Sequence, residues 1–164
     1  MDLGNSLRSL EVTWSDPAAL AEAGRAMAGI DFLRAIRDAK LPHPPICDLL
    51  NYKLTEVEPG QAVFEVTPGE QHYNPIGVVH GGIAMTLLDS AMGCAVQTQM
   101  PAGGGYTTLE AKTNLVRAVT VETGKLRAIG KVVHLGKRIA TAEARLEDRE
   151  GKLYAHATST CIVL

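Results

Sequence analysis

Aromatic side chains are scarce in this chain of 164 residues, which has two Phe, one Trp and four Tyr. Proteins that bind single-stranded nucleic acid stack bases on aromatic platforms, so few rings argue against that class. No charge of one sign dominates. Lys and Arg number 16 against 18 Asp and Glu, for a formal charge of −2 and a pI near 6.2. A nucleic-acid binder or a polybasic membrane-surface binder needs a basic patch, and neither is expected. No uncharged apolar run reaches the roughly 20 residues that a spanning helix requires. Residues 1–14 lack a basic start, an apolar core and a small-residue cleavage site, so no secretory signal is read and the expected location is cytoplasmic. Cysteine is limited to Cys47, Cys94 and Cys161, far apart and without C-x-x-C spacing. They read as reduced, buried thiols. The histidines at 43, 72, 80, 134 and 156 show neither H-x-x-x-H spacing nor clustered carboxylates, and no metal site is expected. The absence of G-x-S-x-G, P-loop and G-x-G-x-x-G patterns argues against a serine hydrolase or a nucleotide-fold enzyme.

What is present is ordinary in bulk. The chain is 46% hydrophobic and 21% charged with mean hydropathy +0.04, values of a globular protein. Its length favours one domain. Ser15-Asp16-Pro17 offers an N-cap followed by Pro at the first helical position, and an amphipathic helical pattern continues to Leu41, broken by Pro42, Pro44 and Pro45. We read residues 1–45 as a helical extension and 46–164 as the main unit. From Asp48 the period changes. Residues 52–57 and 62–66 read as strands joined at Glu58-Pro59-Gly60. After a helix following Gly82, strands are expected near 106–116, 120–134, 137–148 and 152–163, with Gly103-Gly104-Gly105 as a flexible crossover. The spacing predicts an α+β fold, an antiparallel sheet wrapped around one helix. A parallel sheet would need a helix between successive strands.

Charge is unevenly spread. Between Glu70 and Glu110 the only Asp, Glu, Lys or Arg is Asp89, flanked by Leu87, Leu88, Ala91 and Met92 on a helix that reads as apolar on nearly every face. A buried carboxylate is costly unless it is paired, hydrogen-bonded or protonated, and no cation lies within one helical turn, so Asp89 reads either as a structural Asp at a helix kink or small wet pocket or as a functional group. Its chemistry is that of a general base or nucleophile. His80-Gly81-Gly82 precedes the helix, and glycines there let a substrate approach the N-terminal N–H groups, which stabilise a developing oxyanion. Asp89 lies eight residues beyond Gly81, about 12 Å along a helix axis. One chain cannot bring both to one carbonyl. Two antiparallel helices from a two-fold homodimer do so at two equivalent sites.

The run Asn74-Pro75-Ile76-Gly77-Val78-Val79-His80-Gly81-Gly82, with Leu88-Asp89 on the next helix, resembles the hotdog-fold acyl-CoA thioesterases of the phenylacetate-pathway (PaaI-like) group, which includes 4-hydroxybenzoyl-CoA thioesterases. The resemblance extends from about residue 46 to the C-terminus. It implies a hotdog fold, a curved antiparallel sheet around one long central helix, in dimers often paired into homotetramers. It further implies hydrolysis of an aromatic or medium-chain acyl-CoA thioester, with CoA as part of the substrate and no cofactor. Asp89 matches the catalytic carboxylate, acting as nucleophile or general base. Gly81 matches the amide that polarises the thioester carbonyl, His80 a residue assisting there, and Asn74 one that orients water or the carboxylate. A Ser or Thr that positions water falls at Thr107 or Thr108, with Thr108 favoured. Gly93 stands where some relatives carry Thr. Gly82 and Thr107 are expected to contact substrate. Lys137 and Arg138, with Arg117 and Lys131, are candidates for the CoA phosphates. The alternative is a non-catalytic acyl-CoA-binding hotdog protein, which leaves Asp89 without a purpose.

Overall fold

The computed structural model describes residues 6–164, so the first five residues of the expected extension lie outside the described residues. Helix α1 (Pro17–Ala26) starts as the Ser-Asp-Pro signal predicts, with the Asp16 carboxylate accepting from Ala18 N–H at 2.9 Å. Helix α2 (Gly29–Arg37) is separated from it at Met27 and Ala28. Gly29 lies hard against the end of the long helix. A Cβ there would sit 1.8 Å from the Gln97 carbonyl oxygen, and the Gly29 N–H donates to Met100 C=O at 3.0 Å. Leu20, Leu33 and Ile36 join the same buried cluster as the sheet. The prolines expected only to end the helical pattern also begin a short helix, α3 (Pro45–Leu50), because Pro fits the first helical turn.

Strands β1 (Tyr52–Glu58) and β2 (Gln61–Val66) form a hairpin whose Gly60 has φ +75. Helix α4 (Gly81–Gln97) follows, then β3 (Tyr106–Leu115), β4 (Leu126–Leu135), β5 (Ile139–Asp148) and β6 (Leu153–Val163). All strands pair antiparallel in one sheet of order β1-β2-β4-β5-β6-β3, so β1 and β3 are its edges. Strand β4 starts later than the expected residue 120. Val119 is buried, its carbonyl accepts the Val79 N–H at 2.8 Å, and a 3-10 turn (Val121–Thr123) follows before Gly124 at φ +71. The chain from 116 to 124 is thereby drawn against the loop that leads into α4.

Helix α4 touches every strand. It packs closely because the face beneath it is made of small residues: Ala128 and Gly130 on β4, Ala140, Ala142 and Ala144 on β5, Ala155 and Ala157 on β6. At Gly130 helix and strand nearly meet, since a Cβ would lie 2.2 Å from the Ala91 carbonyl oxygen. The helix places Ala84, Leu87, Leu88, Ala91, Met92, Ala95 and Val96 on this floor, the stripe of a 3.6-residue period. The expectation that α4 is buried all round is corrected here. That stripe lies on the sheet floor with Gly93 buried beside it, whereas at the margin along β3 Met85 is 47% exposed and Asp89 is exposed. Among the described residues no helix is long and apolar enough to cross a membrane.

Gly130→Ala should lower the thermal unfolding midpoint by several degrees. Overpacking typically removes about 1–3 kcal/mol, and each kcal/mol moves the midpoint of a chain this size by roughly 2–4 °C. An unchanged midpoint in a thermal melt would show that α4 does not rest on β4 this tightly.

Candidate active site

The loop before α4 is a built turn. The Asn74 side-chain oxygen accepts from Ile76 N–H at 3.1 Å and Val78 N–H at 3.3 Å, while the Asn74 backbone N–H donates to Val78 C=O at 2.8 Å. Gly77 completes the turn at φ +83. Asn74 therefore spends its acceptor on its own loop and keeps its amide NH2. The turn hands the chain to His80, whose N–H donates to the buried His72 carbonyl at 2.8 Å. His80 caps α4, its Nδ1 accepting from Gly82 N–H at 2.9 Å, and its carbonyl accepts from Ile83 N–H at 3.0 Å. In neutral His80 the proton then resides on Nε2, on an exposed side chain. Among the described residues no acceptor takes the Gly81 N–H. A Cβ on Gly81 would lie 2.5 Å from Leu115 Cδ1, which explains glycine there.

Asn74, His80 and Gly81 line a cavity of about 310 Å³, with Ile76, Val78, Leu115 and Arg117 among its other walls. It is apolar apart from the helix N-terminus, the Asn74 amide and Arg117. Of the four cations considered for CoA, Arg117 is the one on this cavity, and its guanidinium donates to Leu153 C=O at 3.4 Å. Lys137 and Arg138 are exposed in the β4–β5 turn, and exposed Lys131 lies on β4 opposite Gln61 and Glu143.

Asp89 stands two turns further along α4. Thr108 donates to Asp89 Oδ1 at 3.2 Å. Strand register decides between the two threonines. Thr108 pairs with buried Cys161 on the concave face under α4, whereas Thr107 pairs with Ile162 and projects from the opposite face. Thr107, expected to contact substrate, thus faces away from the helix. A bulge at Leu109 resets the alternation, so that Ala111, Thr113 and Leu115 return to the concave side opposite Ser159, Ala157 and Ala155. Within one chain the structure brings Asp89 to Thr108, and Asn74, His80 and Gly81 to one another, but leaves the two groups apart as the helix-length argument requires.

The thiols are free, as expected. Burial pushes Cys47 up to about 11 and Cys94 up to about 12, so both stay protonated at neutral pH and neither is a thiolate nucleophile. The sequence reading assigns no role to the cavity's apolar walls: Ile76 and Val78 stand inside the Asn74 to Gly82 run, and Leu115 and Val116 come from a strand end that carries no motif.

A small-residue sheet curved around one helix, with a polar half-site at each of two points on that helix, is the hotdog architecture seen in hydrolases. The thioesterase superfamily profile matches residues 76–155. A candidate esterase of Saccharolobus solfataricus is 31% identical over 134 residues, 82% of this chain and 94% of the relative. A 1,4-dihydroxy-2-naphthoyl-CoA hydrolase of Listeria monocytogenes is 23% identical over 71% of this chain and 93% of its own. Among solved structures, a variant of the phenylacetic acid degradation protein PaaI from Thermus thermophilus superposes with TM-score 0.67 at 29% identity, covering 74% of this chain and all 100% of that one. The chain belongs to the thioesterase superfamily.

His72 ties this site to pH. It is buried, its Nδ1 accepts from Gly69 N–H at 3.1 Å, and desolvation holds its pKa below the usual histidine value. The unfolded chain then binds a proton that the folded chain refuses, so stability rises with pH across that interval. The His72 contribution is complete above about pH 6.5 and is lost as pH falls through the lowered folded value. The melting midpoint should fall from pH 7.5 to pH 5, and less steeply in His72→Gln. Parallel pH profiles for the two proteins would rule His72 out as a source.

Proposed function

We propose that two copies of this chain hydrolyse the thioester of an acyl-CoA, with an aromatic or medium-chain acyl group, at two equivalent sites between them. The observation that carries this reading is the division of α4 into two half-sites: an unclaimed Gly81 N–H at its start, and the Asp89–Thr108 pair about 12 Å further along. An antiparallel two-fold pairing of α4 sets the Gly81 of one subunit beside the Asp89 of the other. It also covers Met85, Leu109 and Leu115, which are 47%, 56% and 52% exposed, and the free edge of β3. The acyl-CoA assignment draws on the Listeria relative, named for an aromatic acyl-CoA substrate.

The carbonyl oxygen of the thioester lies at the N-terminus of one α4, where the Gly81 N–H and His80 Nε2–H receive its growing negative charge. Asp89 of the other subunit is the general base. Thr108 holds Oδ1 and leaves Oδ2 to take a proton from water, whose oxygen attacks the carbonyl carbon. The tetrahedral intermediate collapses, the carbon–sulfur bond breaks, CoA leaves as the thiolate and the free acid remains, and the proton held by Asp89 passes to the thiolate or to solvent, restoring the carboxylate. The Asn74 amide steadies the water or the acyl carbonyl. Arg117, with Lys137 and Arg138, offers charge to the CoA phosphates. These steps draw on the chain's own groups, with CoA entering as part of the substrate. Two such dimers pair into a tetramer.

Asp89→Asn should lower kcat by about 10²–10⁴-fold and Thr108→Val by roughly tenfold, read by thiol release from an acyl-CoA panel. Comparable turnover by Asp89→Asn would refute the catalytic assignment. Acyl-CoA binding without hydrolysis by the wild type would instead mark a binding module. The pairing has its own test. Met85 lies midway between 81 and 89, hence at the two-fold axis, where helices packed about 8–10 Å apart bring facing Cα atoms within disulfide reach. Met85→Cys should yield an oxidant-dependent covalent dimer on a non-reducing gel, and a persistent monomer would contradict the antiparallel register.

A further inference from the structure

Asp89 sits in a helix row, at spacing four, made of Gly81, Met85, Asp89 and Gly93. Each glycine of that row receives a side chain from β3. Leu115 comes within 2.5 Å of where a Gly81 Cβ would be, and the Tyr106 hydroxyl within 2.7 Å of where a Gly93 Cβ would be. Both lie on the concave face, as does Thr108 between them. Leu115 thus fills the Gly81 end of the row and Tyr106 the Gly93 end, with exposed Asp89 and its partner Thr108 between them. Burial above all, then the neighbouring Cys94 and Cys161 sulfurs and the Asp89 carboxylate, keep the Tyr106 phenol protonated. Among the described residues that hydroxyl has no hydrogen-bond partner, so its ring acts by filling space.

We propose that Tyr106, seated in the notch left by Gly93, is the specificity-determining end wall of the site, limiting how long an acyl group extends past Asp89 along α4. The assignment rests on the thioester-hydrolase reading above. CoA carries charged phosphates and stays on the solvent side. The apolar acyl group runs from the reacting carbon into the gap between helix and strand, in the direction away from the Leu115 closure, and meets the Tyr106 ring one helical turn beyond Asp89. A side chain at position 93 would displace that ring, so glycine at 93 and tyrosine at 106 act as a pair.

The test is a chain-length profile. Tyr106→Val removes the ring and keeps a residue suited to a strand, and Tyr106→Leu is the second variant should the first fail to fold. Hydrolysis of butanoyl-, octanoyl-, dodecanoyl- and hexadecanoyl-CoA should shift toward longer chains, the ratio of long to short kcat/KM rising about fourfold for each methylene newly accommodated. Tyr106→Phe, which retains the ring, should keep the wild-type ranking. A wild-type ranking in Tyr106→Val and Tyr106→Leu, or the same shift in Tyr106→Phe, would overturn the proposal. Should the wild type hydrolyse neither these four nor an aromatic ester such as benzoyl-CoA, the functional reading fails. Calorimetric binding of the same CoA esters, with Asp89→Asn alone and combined with Tyr106→Val, then decides the end wall on its own: an unchanged length preference rejects it.

Discussion

The close passage of α4 over β4 at Gly130 is the constraint on which the rest of the molecule depends. A helix riding that near the sheet leaves no room for large residues beneath it, so the floor is alanine and glycine and the packing is supplied from the helix by Leu87, Leu88, Met92 and Val96. The scarcity of aromatics follows from this geometry. The buried rings Tyr52 and Phe64 lie on the β1–β2 hairpin with centroids 5.4 Å apart. The helix is held along its length, at its start by the His80 cap and at its end by Gly29 against Gln97. Its N-terminus and its middle are thereby set relative to β3 with little freedom, which a catalytic geometry needs.

Because α4 buries only one stripe, the opposite side is left for chemistry. Gly81, Met85 and Asp89 fall on one row at its edge, continued by the buried Gly93, and β3, the edge strand, lies alongside. The edge position supplies Thr108 to the carboxylate from within the chain while leaving backbone groups free for a partner strand. The same alternation that turns Thr108 inward turns Thr107 outward, so one strand serves both the site and the convex surface.

Much of this was legible in the sequence. The order of helix and strands follows from the change of period after Asp48 and the alternation in β5, and the Asn74 to Asp89 pattern names the residues of the two candidate half-sites. The misreadings have physical causes. A run without charge looks buried on every face, yet the exposure of Met85 and Asp89 depends on which side the sheet lies, a fact absent from local periodicity. Thr107 and Thr108 are adjacent, and only pairing with Ile162 and Cys161 separates them. The α3 helix was obscured by prolines that both end one helix and begin another. The Asn74 amide looks free in sequence, whereas its oxygen is already committed to Ile76 and Val78.

The exposure of Asp89 in the single chain also bears on where the energetic burden of the site falls. An ionised carboxylate buried during folding would subtract from a stability of only several kcal/mol. Here the folding chain leaves Asp89 hydrated, with one hydrogen bond from Thr108 to orient it. In the proposed dimer, desolvation is imposed only at assembly, where burial of Met85, Leu109 and Leu115 offsets it. The carboxylate then acts in a water-poor cleft opposite a helix N-terminus, and both electrostatic partners strengthen as the dielectric falls. In that proposed dimer, dividing the site between two chains lets each fold without burying Asp89, and confines the unfavourable burial of charge to the assembled state.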